Sequence, residues 1–268
     1  MSSRSIPVYA AIAGDIVGSR FEGRPTKRRD FDLDHQRCRY TDDTVLTVAT
    51  AYAITEAAAT GDAPAYAAAY KKFGRDDPNR GYGGSFRRWL ASDSLKAYGS
   101  FGNGSGMRAS PVGCAFEKQE DVLEEAKRSA AATHDHPEGI KGAQAVAYTV
   151  WRCRTDDSVQ PGDIEYEITS RFGYSLDHSL DAIRPGYSFD VTCQGSVPEA
   201  IVAFLEARSV EDAIRNAVSL GGDSDTQACM AAAMAGGRFG TLSEELSGLV
   251  RRHLPGPYLE IIDALDKL

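Results

Sequence analysis

The stretch Ser219-Leu220-Gly221-Gly222-Asp223-Ser224-Asp225-Thr226-Gln227-Ala228-Cys229-Met230-Ala231-Ala232-Ala233 decides how the rest of the chain is read. Two glycines deliver a crowd of hard oxygen donors onto the first turn of an apolar, alanine-rich helix. On a regular helix the 3.6-residue period sets Asp223 and Thr226 on one face and turns Asp225 away, so the three converge only at a bent loop-to-helix junction. An Asp, Ser or Thr in front of a helix ordinarily caps it, bonding orphan amides and complementing the dipole. Repetition argues for more than a cap. Tyr40-Thr41-Asp42-Asp43-Thr44 opens another helix with the same surplus of carboxylates, and Glu22 follows the glycine-punctuated segment from Gly14 to Gly18.

Working outward, the pattern is helical nearly everywhere. Residues 6–19 form a helix with Pro7 in its first turn and Ala10, Ala13 and Val17 on a narrow, closely packed face. Residues 20–40 are polar, charged and rich in breakers, a long loop of the kind that usually carries function. Period and capping place further helices over 41–59, 64–73, 85–90, 120–133, 138–151, 163–172, 198–207, 210–220, 226–235, 243–254 and 257–268. The segment 174–195 is less regular, with a short extended piece around Phe189-Asp190-Val191-Thr192-Cys193. The fold class is therefore all-α with long functional loops. No linker, composition shift or repeat divides residues 1–268, so a single domain is expected.

Composition narrows the function. An apolar fraction of 42% is enough for a sizeable core, and a net charge of −8 argues against sequence-independent binding to nucleic acid, the basic run Arg24 to Arg29 being read as a solvated loop. Cys38, Cys114, Cys153, Cys193 and Cys229 are odd in number and lack CxxC spacing, which speaks for buried reduced thiols. The apolar run 6–17 is interrupted by Asp15 and too short for a span. A cytoplasmic, monomeric protein without a membrane partner is expected.

Five carboxylates, Glu22, Asp42, Asp43, Asp223 and Asp225, would repel one another in a common cleft unless cations neutralised them. No histidine or cysteine is interleaved, so the donors suit Mg²⁺, Mn²⁺ or Ca²⁺ rather than zinc or copper. With the hydroxyls of Thr41 and Thr226 they exceed what one octahedral ion takes, which predicts a pair, Asp225 or Asp43 bridging. The loop Gly102-Asn103-Gly104-Ser105-Gly106 runs into Met107-Arg108. It is either an ordinary tight turn or an anion site of exposed amides assisted by Arg108, and Phe101 and Tyr98 beside it are either core or a platform for a purine. In Thr133-His134-Asp135-His136-Pro137 a histidine complements a helix end or, less commonly, binds metal. No nucleophile elbow is present, which excludes that route to covalent hydrolysis.

These segments in order, Gly14-Asp15-Ile16-Val17-Gly18-Ser19-Arg20-Phe21-Glu22, Tyr40 to Thr44, Arg80-Gly81-Tyr82-Gly83, Phe101 to Arg108, Thr133-His134 and Ser219 to Thr226, resemble the ordered signature of the ADP-ribosylhydrolases, a group that includes the dinitrogenase-reductase-activating glycohydrolases. The likeness covers about 14–240. It implies a compact orthogonal multi-helix bundle of the ADP-ribosylglycohydrolase type around two Mg²⁺ or Mn²⁺ ions, acting on an ADP-ribosylated substrate. It implies further that Thr41, Asp42 and Asp43 hold one ion, that Asp223, Asp225 and Thr226 hold the other with one aspartate shared, and that Glu22 is a general acid or base. By the same likeness Gly81, Gly83 and Gly84 with Gly102, Asn103, Gly104, Ser105, Gly106 and Met107 cradle phosphate and ribose, Phe101 stacks on adenine, and His134 touches the ligand. Ser224 stands where threonine is commoner and Gln227 where a smaller or apolar residue is usual. The aspartate proposed as base in the nitrogenase-regulating members has no match in 82–90.

The resulting expectation is hydrolysis of the glycosidic bond between ADP-ribose and an acceptor, with Glu22, Asp42 and Asp225 in the catalytic roles. A two-metal nucleotide phosphohydrolase and a non-catalytic ADP-ribose-binding protein on the same scaffold are the alternatives.

Overall fold

The computed structural model describes residues 4–268. Among the described residues fourteen α-helices follow one another: α1 Ile6–Gly18, α2 Asp42–Thr60, α3 Tyr66–Asp76, α4 Gly84–Ala91, α5 Ser110–Ala115, α6 Gln119–Ala131, α7 Pro137–Thr155, α8 Pro161–Phe172, α9 Leu180–Ile183, α10 Cys193–Leu205, α11 Val210–Ser219, α12 Ser224–Phe239, α13 Glu244–His253 and α14 Gly256–Ala264. Two 3-10 turns, Asn103–Ser105 and Leu265–Lys267, complete the regular structure. Among the described residues no strand forms, and a lone antiparallel bridge joins Gly102 to Thr192.

The centre of the molecule is the pair α1 and α12. Every residue of α1 is buried, as is α12 from Ser224 to Gly236, so neither helix has a polar face to show water. Glycines set how near they come. A Cβ on Gly14 would lie 2.3 Å from the Ala228 carbonyl oxygen, and one on Gly18 would lie 2.5 Å from the Ser224 oxygen and 2.6 Å from Asp225 Cα. At Gly236 a Cβ would meet Pro7 Cα at 2.8 Å. Backbone therefore rests on backbone along three turns, and α2, α5, α7, α10, α11 and α13 pack around this core. Ala10, Ala13 and Val17 are fully buried, and Ala10 takes part in the close contact at Gly236, alongside Gly14 and Gly18.

Local chemistry fixes the helix ends. Thr41 caps α2 by accepting from the Asp43 amide, and Gly61 closes it at φ 79°. Ser209 and Ser243 cap α11 and α13 at the amides of Asp212 and Leu246, and Gln160 with Asp163 makes a reciprocal box on α8. Several helix ends shift by a few residues from the sequence expectation, and three departures are larger. Helix α10 starts at Cys193, because Thr192 caps it at the Gly195 amide, and it carries Pro198 inside. The irregular segment 174–195 holds the short α9. The six-residue α5 has no counterpart among the expected helices, its periodic signal being too short to register. All five cysteines are buried free thiols, and no described helix is long and apolar enough to cross a membrane.

Candidate active site

The N-termini of α2 and α12 meet beneath one cavity, and α1 delivers a carboxylate between them. Asp15, wholly buried, accepts from the Thr41 amide at 2.9 Å, the Thr41 hydroxyl at 2.7 Å and the Thr44 amide at 3.1 Å, and from the Thr44 hydroxyl as well. Asp15 thus satisfies the first amides of α2 from outside, which leaves the carboxylates of Asp42 and Asp43 unused by capping. Asp43 Oδ1 is buried with no hydrogen-bond partner, while its Oδ2 lies 3.2 Å from the Thr41 hydroxyl and 3.4 Å from that of Thr226. Asp225 accepts from its neighbour Thr226 N at 3.1 Å. Carboxylate oxygens of Asp15, Asp43 and Asp225 all lie within 4.8 Å of one another. Asp223 makes no cap bond to α12; its Oδ2 instead accepts from Asn103 Nδ2 at 2.8 Å. Gly221 (φ 67°) supplies the left-handed bend before this junction, whereas Gly222 is needed for space, since a Cβ there would lie 2.4 Å from the Tyr187 ring.

Crowding raises the whole set. Burial, then the charges of Asp15 and Asp42, hold Asp43 far above the usual carboxylate range, and burial with Asp43 and Asp223 does the same to Asp225. Asp42 is pushed up to about 8 by burial and by Asp15. Burial and Asp223 raise Glu22, opposed by Arg39, and burial raises Asp223 against the bond from Asn103. An unpartnered carboxylate oxygen amid hydroxyl and carboxylate oxygens fits hard divalent cations. Asp15 differs from the others, because both of its oxygens already carry hydrogen bonds from α2.

Above the acids the cavity measures about 420 Å³. Asp42, Asp43, Asp223, Asp225 and Thr226 form its floor, and Glu22 stands exposed on the rim. Gly81, Gly83 and Gly84 at the start of α4 make one wall; Gly81 takes φ 96° and passes so near Asp42 that a Cβ would sit 3.4 Å from its Oδ1. Gly102, Asn103, Gly104 and Met107 make the opposite wall, with Arg108 and His134 behind them. Arg108 is fully buried with its guanidinium 4.0 Å above the Tyr70 ring, and its Nη2 donates to Thr133 Oγ1 at 2.8 Å. The Thr133 hydroxyl also pairs with His134 Nδ1 at 2.7 Å, and His134 Nε2 faces Gly104. Burial and Arg108 hold His134 well below its usual pKa, so it stays neutral.

The structure separates other predicted residues from the cavity. Thr41 lies behind it as the cap of α2. Ser105 turns inward and donates to the Gly139 carbonyl at 2.7 Å, and Gly106 packs on Met230. Phe101 is 45% exposed beside the His136 ring, outside the cavity lining. Several amides of the glycine loop are already engaged within the protein. Gly102 N donates to the Ser100 hydroxyl, Asn103 N to the Val191 carbonyl, and Gly106 N and Met107 N to the Asn103 carbonyl, so four amides close the loop on itself and on 189–193. Sequence reading missed Asp15, whose signal was one acid in an otherwise apolar helix, and Thr133, which only the fold joins to Arg108. It also gave no role to Phe189 and Val191, which line the cavity.

Fold and cavity together define an all-helical protein with an oxygen-donor centre beneath a ligand-sized hollow. The profile of the ADP-ribosylglycohydrolase family matches residues 8–263, and the chain belongs to that family of ADP-ribosyl hydrolases. Among curated proteins it is similar to ADP-ribosylhydrolase ARH3 of Danio rerio, 28% identical over 309 residues covering 90% of this chain and 83% of that one. ARH3 of Homo sapiens is 26% identical over 306 residues, covering 86% and 83%. A solved structure described as an ADP-ribosylglycohydrolase-related protein complex superposes with a TM-score of 0.70 over 98% of this chain and 96% of that chain, at 21% identity, and shows the shared fold.

Proposed function

We propose that the chain hydrolyses the bond between the anomeric carbon of the distal ribose of ADP-ribose and its acceptor, using a pair of Mg²⁺ or Mn²⁺ ions. The observation that carries this reading is the buried, unpartnered Asp43 oxygen set among Asp42, Asp223, Asp225 and Thr226 on the floor of a 420 Å³ cavity. Asp42, Asp43, Asp223, Asp225 and Thr226 hold the ions, with Thr41 and Asp15 orienting the α2 donors. When bound, such a pair neutralises the clustered carboxylates, acidifies water and orients vicinal hydroxyls. Glu22, on the rim and raised in pKa, moves a proton to or from the reacting groups. The walls at Gly81 to Gly84 and Gly102 to Met107 orient the sugar and pyrophosphate. Arg108 adds positive charge and His134 presents Nε2 to the ligand, while Phe101, exposed outside the cavity lining, stacks on the part of the adenine that extends beyond it.

The test is to incubate the protein with a panel of defined ADP-ribosyl conjugates in Mg²⁺, Mn²⁺ or EDTA and to analyse the products. Free ADP-ribose, released with either metal and not with EDTA, is expected. AMP plus an acceptor that still carries ribose phosphate would mean pyrophosphate cleavage and would overturn the reading, as would turnover indifferent to EDTA.

A further inference from the structure

Glu22 reaches the cavity from the long segment between α1 and α2, and among the described residues its carboxylate accepts no hydrogen bond. Its place is therefore set by the backbone of its own turn. The Phe21 amide donates to the Gly18 carbonyl at 2.8 Å and the Arg24 amide to the Phe21 carbonyl at 2.9 Å, which closes that turn. Aromatic contacts hold it from the side. The Phe21 ring packs on Phe31 with centroids 4.8 Å apart, and the Arg20 guanidinium covers both, 4.4 Å and 5.5 Å from their centroids.

Phe31 is itself anchored from α11. Arg215 Nη1 donates to the Phe31 carbonyl at 2.6 Å and to the Arg29 carbonyl at 2.9 Å, and the guanidinium lies 5.0 Å from the Phe31 centroid. Arg215 Nε donates to Glu211 Oε1 at 2.9 Å, one helical turn back, which sets the plane of the group. Arg29 pairs in turn with Asp212. Helix α11 makes a firm base, since it packs on α12 and buries Val210, Ala213, Ile214, Ala217 and Val218.

From this chain of contacts we infer that Arg215 is a positioning residue for Glu22: it anchors Phe31, Phe31 holds Phe21, and Phe21 fixes the turn on which the Glu22 carboxylate stands over the acids. The inference rests on the role given to Glu22 in the reading above. A rim carboxylate without a bond of its own is confined only by its backbone, and proton transfer demands hydrogen-bond reach of the reacting group. Loosening the turn lowers turnover while the cavity walls, which do not include Arg215, still bind the ligand. Arginine suits the task because its planar fork serves two carbonyls and stacks on a ring at once. The same segment is tied elsewhere by Lys27, on the Tyr187 and Leu220 carbonyls, and by Arg252 of α13 on Asp34 at 2.7 Å. Those ties keep the segment in place when Arg215 is lost, so the effect falls on the ring relay.

The test is a double-mutant cycle with Mg²⁺ on whichever ADP-ribosyl conjugate of the panel above is turned over fastest. Arg215→Ala should lower kcat by at least about ten-fold, with KM and the Kd of free ADP-ribose changed by less than about three-fold. Arg215→Lys, which still offers a donor to the two carbonyls, should keep more of kcat than Arg215→Ala, and Arg252→Ala should keep nearly all of it. In a Glu22→Gln background Arg215→Ala should cost less than about two-fold, because the carboxylate it places is already gone. Phe31→Leu removes the ring relay and leaves Arg215 in place; it should reproduce the kcat loss, and it takes over the cycle if Arg215→Ala melts below the assay temperature. A loss carried by KM, an equal loss in Arg252→Ala, or a loss of full size on top of Glu22→Gln would overturn the inference. Full turnover by Glu22→Gln would instead remove the role of Glu22 in the glycohydrolase reading, and the positioning role with it.

Discussion

Asp15 and Asp43 are both buried carboxylates within reach of one another, and their hydrogen bonds give them opposite uses. Asp15 spends its oxygens on the amides and hydroxyls that open α2, so Asp15→Asn puts amide hydrogens against donors and should lower the melting temperature by several degrees. Asp225 sits among like charges, so Asp225→Asn in EDTA should melt no lower than wild type while activity with metal falls by at least about a thousand-fold. Near-normal turnover in Asp225→Asn or in Asp42→Ala would remove the metal scheme. Glu22 is exposed and reaches the cavity from its rim, so Glu22→Gln should cut kcat by about 10²- to 10⁴-fold with ADP-ribose affinity little changed; an equal loss in both would make it a binding residue.

At the scale of the element, the acid site depends on how closely two helices touch. Asp15 and Asp225 belong to α1 and α12, which meet backbone to backbone at Gly14 and Gly18. Gly18→Ala would press a methyl on Ser224 O and Asp225 Cα, both part of helical backbone that cannot swing aside. A loss of about 1–3 kcal/mol is expected from calorimetry, together with a drop in metal affinity because the start of α12 is displaced. Unchanged stability with full metal binding would show that the helices have slack. The sequence marked the glycines around Asp15 and an inward face of small residues, but a uniformly apolar helix has no face to read. Ala10 was legible as part of the contact, but the larger share that Gly14 and Gly18 take in it was not. The start of α10 was hidden for a different reason, since Pro198 reads as a beginning and sits inside the helix only because Thr192 caps it earlier.

For the whole molecule, the clustered acids tie stability to pH. Their pKa values are raised on folding, Asp42 to about 8 and Asp43 and Asp225 well above their usual range. The folded metal-free chain therefore holds these protons more tightly than the unfolded chain. Their contribution is fully present below the ordinary carboxylate pKa of about 4 and is lost as pH rises through about 8 and beyond. In EDTA the melting temperature should thus fall steadily from mildly acidic to mildly alkaline pH. Saturating Mg²⁺ or Mn²⁺ should raise it and flatten the slope, as binding to the native state alone requires. A flat profile in EDTA would mean that the carboxylates are already neutralised within the protein.

From the sequence alone came the helical class, the long loop 20–40, the two acid-bearing helix starts and the choice of hard oxygen donors. Those follow from local causes: side-chain period, capping chemistry and the kind of atom each residue offers. Only the tertiary structure decided which acid does what. Asp15 and Asp42 look alike in the chain, and they differ because Thr41 and Thr44 fold onto one and not the other. The same holds for the glycine loop, three of whose amides close onto Val191 and Asn103, and for the Arg108–Thr133–His134 chain. A hydrogen bond or a shared wall between distant segments leaves no periodic trace in either, so its residues become legible only once the chain has brought them together.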